Sequence, residues 1–310
     1  GPKFKNPPAS KLASDFRPSD PGIKLCDYLQ TYEVTTMKYQ IKDGTVTLGG
    51  ETILSHIDFE IQGNQKIAVV GRNGAGKTTL LRLIAGELSL DRDDRRQGPG
   101  ITASRQLTVE MLGQQALAGE ERTVEELVML NCPAKGPFDR ERFEYEREYD
   151  TLFTGLGFQK EDKKRSVAAF SGGQKTKIAL IQLLLKKPDL LLLDEPTSSL
   201  DLRHQVEVLT TARRVATKQG KGVILSMHDI NLAARYADTI LLMKDGGIVA
   251  SGAPADVLTG ERIASVYGLP MRAFHAADNP QVSLWFPDTT EEGAVFPSRS
   301  GIFQEEDMEQ

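Results

Sequence analysis

Cysteine is scarce in this 310-residue chain. There are two, Cys26 and Cys132, and neither lies at a metal-ligand spacing. A disulfide framework is excluded, and a reducing compartment is expected. Histidine is nearly as rare, with only His56, His204, His228 and His275, so no structural zinc site is expected. No apolar run reaches 18 residues and the N-terminus has no signal-peptide core, which argues against a membrane-spanning chain. The chain opens Gly1-Pro2 without an initiator methionine, which reads as a cleavage scar. Basic residues do not exceed acidic ones: 38 stand against 43, net −5. No basic field recommends a nucleic-acid partner, and no direct DNA binding is expected.

What the sequence does have is unevenly distributed. Residues 1–22 carry five of the fifteen prolines, and residues 1–37 read as an irregular, partly disordered leader. Residues 288–310 hold seven acids and one arginine, so the charge of the chain is mostly an acidic tail on a near-neutral body. Over the whole chain, 39% hydrophobic and 26% charged residues describe an ordinary globular protein.

A strand-like pattern starts near Tyr39. Thr45 to Leu48 lead into a Gly49-Gly50 turn, and Ile53 to Ile61 alternate again. Lys66 to Val70 reads as a strand, followed by a glycine-rich loop and a helix with Leu80, Leu81, Leu83 and Ile84 on one face. Residues 138–153 read as an amphipathic helix lined by Tyr145, Tyr149, Leu152 and Phe153. The unbroken apolar runs Leu190–Leu193 and Val223–Leu225 suit parallel strands buried on both faces. Ile240–Met243, Lys244-Asp245-Gly246-Gly247 and Ile248-Val249 read as a hairpin with an Asp-Gly turn.

Four segments carry chemistry. Gly71-Arg72-Asn73-Gly74-Ala75-Gly76-Lys77-Thr78 matches G-x-x-x-x-G-K-[ST]. Its glycines let backbone amides converge on phosphate oxygens, the helix N-terminus favours negative charge, Lys77 reaches the β- and γ-phosphates, and Thr78 offers a hydroxyl to Mg²⁺. At ordinary glycine usage a chance match in a chain this long is roughly a 1% event. Asp194-Glu195 ends a buried strand, where carboxylates face a ligand crevice; Asp194 suits Mg²⁺ and Glu195 suits activation of water. His228 follows another apolar run and suits a γ-phosphate contact. Ser171-Gly172-Gly173-Gln174, just before a helix expected over Lys175–Lys187, is a second anion-binding candidate.

Taken in order along residues 40–270, these motifs resemble the ATP-binding-cassette (ABC) ATPases. The resemblance implies an α/β P-loop NTPase cassette with a mixed sheet core, an N-terminal antiparallel β subdomain and an α-helical signature subdomain over about 115–187. The cassette would span 38–270, with 271–310 a C-terminal extension. It implies ATP and Mg²⁺ as ligands. Gly71, Asn73, Gly74, Ala75, Gly76, Lys77, Thr78 and Thr79 would bind the nucleotide, and Thr78, Asp194 and Gln114 the metal. Glu195, His228, Gln114 and Lys77 would be catalytic, with Gln115 a one-residue alternative to Gln114. Ser171, Gly172, Gly173, Gln174 and Asp201 would complete the site of a second copy, so a homodimer or partner cassette is implied. The family often stacks an aromatic on adenine just after the first strand; here the corresponding position is Leu48, with Tyr39 as the other candidate.

The resemblance changes along the chain. Residues 40–187 are most similar to the ABC-F class of soluble, translation-associated ATPases, through Gly49–Leu54, Gly71–Thr78 and Phe170–Lys177. Residues 197–270 are most similar to ATPase subunits of iron-chelate, haem and cobalamin importers, through Ser199–Gln205 and His228–Asp238. ABC-F proteins usually have Asn-His at Ser198-Ser199. A mosaic, natural or engineered, with its join near Leu190–Thr197, is one reading; a divergent single lineage is the other. Two functions follow: an importer ATPase working under a membrane permease at the cytoplasmic face, or a soluble factor acting on the ribosome. A third is a cassette with no coupling partner. The single cassette and the importer-like second half favour the importer.

Overall fold

The computed structural model describes residues 37–92, 100–104, 106–113, 116–134, 136, 138–198, 200–276 and 279–288. The proline-rich leader with Cys26, the Gln114-Gln115 pair, Ser199 and the acidic tail after Asp288 lie outside them. Cys132 is half-buried and free.

Strand β1 (Lys38–Leu48) pairs antiparallel with β2 (Glu51–Gln62) across the expected Gly49-Gly50 turn. With β4 (Ile101–Ala103) on the other edge of β1, they form a three-stranded antiparallel sheet. The main sheet has six strands, in the order β5 (Val109–Leu112), β6 (Leu190–Asp194), β7 (Gly222–Met227), β3 (Lys66–Val70), β8 (Thr239–Lys244) and β9 (Gly247–Gly252). The first five are parallel and β9 is antiparallel, so the sheet is mixed, as expected. The strands read as unbroken apolar runs are β6 and β7. Every residue of β3, β6 and β7 is buried, as a parallel sheet covered on both faces requires.

One face of this sheet packs against the antiparallel sheet and α1 (Lys77–Ile84). There Ile41, Leu54, Ile57 and Ile61 meet Leu80, Leu81, Leu83 and Ile84. The opposite face is covered by α4 (Gly172–Leu185), α5 (Leu202–Gln219), α6 (Ile230–Tyr236), α7 (Pro254–Val257) and α8 (Gly260–Tyr267). The β8–β9 turn is the expected one: Asp245 and Gly246 both take positive φ, 47° and 77°, the conformation of a type I′ turn. A side chain at Gly246 would stand 2.3 Å from the Ile53 carbonyl oxygen, so this turn seats directly on β2.

A separate core belongs to the helical subdomain. Helix α2 (Val124–Met129) opens with a capping box of Thr123 and Glu126. The amphipathic helix α3 spans Arg140–Gly155, two residues later than its sequence pattern at each end, and buries Tyr145, Tyr149 and Phe153. Phe153 stacks on Phe158 at 4.6 Å and lies 5.4 Å from Tyr149. Helix α4 serves both cores. Ile178, Ile181 and Leu185 face the helical subdomain, while Ala179, Leu180, Leu183 and Leu184 face the main sheet. That double burial explains its nearly continuous apolar sequence.

Phe153 is fully buried among aromatic neighbours. Phe153→Ala is expected to destabilise the helical subdomain by about 3–5 kcal/mol. Hydrogen exchange should show loss of amide protection over residues 124–158 while β3, β6 and β7 keep theirs. Uniform loss over both regions would contradict a separate core.

Candidate functional site

The strand order brings the chemical segments together. The loops after β3, β6 and β7 carry the glycine-rich loop, Glu195 and His228, and these strands are adjacent and parallel. All three therefore open at one sheet edge, the carboxyl end where α/β proteins bind ligands. Gly113, which follows β5, joins the same edge and lines a cavity of about 330 Å³ with Thr78, Arg82, Glu87, Met111 and Asp194. Gln114 lies outside the described residues, one position beyond this lining residue.

The phosphate loop is shaped by close packing. Gly76 caps α1 with φ 94°, and a Cβ there would meet Leu54 Cδ2 at 2.7 Å. A Cβ at Gly71 would stand 2.4 Å from the Met243 carbonyl oxygen. A side chain at Gly71 would have to move β8, and one at Gly76 would displace the Leu54 side chain and hold a strained positive φ. The loop delivers Lys77, only 5% exposed, whose ammonium donates to the carbonyls of Gly71 (3.0 Å) and Arg72 (3.1 Å). Its Nζ stands 3.9 Å from Glu195 Oε1. Burial pulls the Lys77 pKa below the usual lysine value, and the carboxylates of Glu195 and Asp194 oppose that shift.

Asp194 is 2% exposed and collects two hydroxyls on one oxygen. Thr78 Oγ1 donates to its Oδ1 at 3.1 Å, and Ser226 Oγ donates to the same atom at 2.6 Å. Ser226 also accepts from the Glu195 amide at 2.8 Å. Glu195 itself takes φ 48°, a left-handed conformation that is costly for a residue with a side chain and recurs at functional sites. Its Oε1 lies against His228 Nε2. Lys77, Thr78, Asp194, Glu195 and His228 thus form one connected constellation.

The signature segment differs from expectation in one respect. The helix expected from Lys175 begins at Gly172, so Ser171-Gly172-Gly173-Gln174 is its first turn. Ser171 Oγ accepts from the Gln174 amide at 3.3 Å, and Gln174 Oε1 accepts from the Ser171 amide at 3.1 Å. The tetrapeptide is a capping box, and that pattern was readable in the sequence. Ser171 and Gly172 are exposed, while Gly173 is buried with no room for a side chain larger than a methyl beside Leu200. Asp201 caps α5 by accepting from the His204 amide at 2.8 Å, which holds its carboxyl below the ordinary range. Of the two adenine candidates, Tyr39 is buried in the sheet core, with its pKa pushed up to about 12 by burial, and presents no face to a base. Leu48 is exposed at the β1–β2 tip, where Asp91 accepts from the Thr47 amide (3.1 Å) and hydroxyl (2.7 Å).

Two residues went unnoticed in the sequence. Ser226 is a lone hydroxyl inside the apolar run of β7, and that interruption was its only signal. Lys177 is a buried lysine of α4 that donates to the Leu156 carbonyl at 3.0 Å and pairs with Glu207 of α5. It ties the signature helix to the helix that Asp201 caps.

Comparison with known proteins agrees with this geometry. A profile of the ABC transporter family matches residues 54–198. The hemin import ATP-binding protein of Rhodopseudomonas palustris (strain BisA53) is 36% identical over 250 residues, covering 76% of this chain and 89% of that one. An ABC transporter described as metal-chelate type, in an inward-facing conformation, superposes with a TM-score of 0.68 at 24% identity, over 81% of this chain and 97% of that one. A dimeric ATP-binding cassette holding ADP and phosphate after hydrolysis superposes with a TM-score of 0.57 at 21% identity, over 70% of this chain and 98% of that one.

Ser226→Ala removes a donor from buried Asp194 and an acceptor from the Glu195 amide. A hydrogen bond to a buried charge is worth about 1.5–3 kcal/mol, so Mg-ATP affinity should fall roughly ten- to hundredfold. Titration with a fluorescent ATP analogue, with and without Mg²⁺, measures this. Unchanged Mg-ATP affinity would remove Ser226 from the site.

Proposed function

The chain belongs to the ABC transporter family of ATP-binding proteins and is an ATPase of that type, and on that premise we propose that it is the energy-coupling subunit of a membrane importer of the metal-chelate or hemin class. The observation that carries the hydrolytic part is the joining of Lys77, Asp194, Glu195 and His228 at three adjacent strand ends. The importer reading is supported by relatives named for hemin import that align along three quarters of the chain. We assign 38–270 to the cassette, 115–187 to its helical subdomain and 271–310 to an extension.

The amides of Gly74 to Thr78 and the Lys77 ammonium bind the phosphates, in a loop whose turns Gly74 and Gly76 make with positive φ. The donor set fits Mg²⁺: a threonine hydroxyl and a carboxylate are hard oxygen ligands, one or two carboxylates suffice beside phosphate, and Thr78 and Asp194 are already in contact. Thr78, Asp194 and Gln114 would hold the ion, which when bound neutralises charge on the β- and γ-phosphate oxygens. Glu195 accepts the proton of the attacking water as the bond to the β-phosphate oxygen breaks and ADP leaves. His228, in contact with Glu195 through Nε2, orients that base and is assigned the contact to the γ-phosphate. Ser171 to Gln174 and Asp201 are assigned to the partner cassette's nucleotide, so each chain supplies half of two sites. The exposure of Ser171 and Gly172 supports this.

No helix among the described residues is long and apolar enough to cross a membrane. We place the subunit at the cytoplasmic face, beneath a permease. A second reading, a soluble factor on the ribosome, draws on the ABC-F-like segments of residues 40–187 alone.

Glu195→Gln keeps the shape and removes the basicity. Turnover should fall by about 10²–10⁴-fold with ATP affinity within a few-fold; near-normal turnover would rule Glu195 out as the base. The rate per chain should rise with protein concentration, and a flat response at low micromolar would argue against a sandwich dimer. A pull-down from membranes and from ribosomes with non-hydrolysable ATP should recover an integral-membrane permease. Recovery of ribosomes instead would favour the second reading.

A further inference from the structure

The C-terminal hairpin, β10 (Met271–Ala276) and β11 (Asn279–Pro287), takes no part in the steps above, yet it is fastened to the turn that carries His228. Helix α6 starts directly after that turn. Asp229 caps it by accepting from the amides of Asn231 (2.8 Å) and Leu232 (3.0 Å). The Asn231 side chain then grips the hairpin in both directions: Nδ2 donates to the Trp285 carbonyl at 3.2 Å, and Oδ1 accepts from the Trp285 amide at 2.7 Å. The strand cannot slide along α6 without breaking both bonds. Trp285 is half-buried against the core beneath α8, and a Cβ at Gly260 would already touch its ring at 3.7 Å. The open end of the hairpin is closed by the Asp288 amide donating to the Pro270 carbonyl at 2.8 Å.

Tyr267, the last residue of α8, reaches the same turn from the other side. Its hydroxyl is buried and has no hydrogen-bond partner among the described residues. The Gly71 backbone amide and the Asp229 carboxylate are the polar groups that act on it. Burial raises its pKa to about 12, so it stays a protonated hydroxyl at neutral pH. The following residue, Gly268, lies against the Arg72 guanidinium. A buried hydroxyl left unpaired is unfavourable, and a phenylalanine would avoid that penalty. Its place at the junction gives it a polar neighbour in each segment, the Gly71 amide of the phosphate loop and Asp229 of the His228 turn.

We propose that residues 267–276 and 279–287 form a brace that positions His228, with Asn231 locked to Trp285 and the buried Tyr267 hydroxyl set by Gly71 and Asp229. Asn231 and Tyr267 are positioning residues; neither touches the nucleotide. The proposal rests on His228 acting at the γ-phosphate as assigned above.

The test uses the full chain, steady-state ATPase kinetics, thermal melting and the emission of Trp285, the one tryptophan. Asn231→Ala should red-shift that emission and lower kcat at least fivefold, with KM for ATP within twofold. Tyr267→Phe should lower kcat at least threefold while Tm stays unchanged or rises, a combination that a purely structural role would not produce. Neither change should lower the residual turnover of His228→Ala further. The proposal is overturned if either variant keeps kcat within twofold, if KM rises in step with the loss, or if the losses multiply with that of His228→Ala. Should Asn231→Ala fail to fold, Tyr267→Phe decides alone, since it removes one oxygen. Full turnover in His228→Ala would overturn the assignment of His228 and the brace with it. An impaired His228→Ala beside fully active brace variants would overturn the brace only.

Discussion

One buried hydroxyl joins the two acids on which the chemistry depends. Ser226 donates to Asp194 and accepts from the Glu195 amide, so a single atom sets the end of β6 against the end of β7. Asp194 and Ser226 are register partners across those strands, and Val69 of β3 is the partner of Ser226 on the other side. A slip of one residue in either ladder would turn Asp194 to the wrong face of the sheet. The geometry of the site is therefore a consequence of strand register, and register is held by buried side chains on both faces.

Those side chains divide the molecule into layers with different tasks. Leu54 of the antiparallel sheet crowds the phosphate loop at Gly76, and the Met243 carbonyl of β8 crowds it at Gly71. On the opposite face, α4 carries the signature turn at its exposed start and is buried in two cores along its length. Lys177 extends this link to α5 through Glu207, so the signature turn and the Asp201 cap are held in a common frame. A movement of the helical subdomain would displace both together, because a paired, buried lysine is costly to separate from its carboxylate.

The phosphate loop, the Asp-Gly hairpin, the buried parallel strands and the amphipathic helix were all legible as local patterns. The boundaries were less so: the α3 pattern ran two residues early, and the signature helix began three residues sooner than its apolar periodicity suggested. That second difference has a clear source. A capping box is a hydrogen-bonding signal, and Ser171 with Gln174 fits one, while Gly172 and Gly173 dilute the apolar pattern. The choice between Leu48 and Tyr39 as neighbour of a base could not be made from composition, because it turns on which of the two is buried.

The sequence by itself determined which groups meet phosphate, since a glycine-rich loop with Lys77 and Thr78 has its chemistry in its own backbone and adjoining helix. It also marked Glu195 and His228 as residues at strand ends. Only the tertiary structure decided that these two stand in contact, that β7 lies between β3 and β6, and that Ser226 and Lys177 matter. Those facts depend on strand order and on packing between segments far apart in the chain. No local spacing encodes the order in which parallel strands assemble, because each crossover connection lets the next strand join at more than one position.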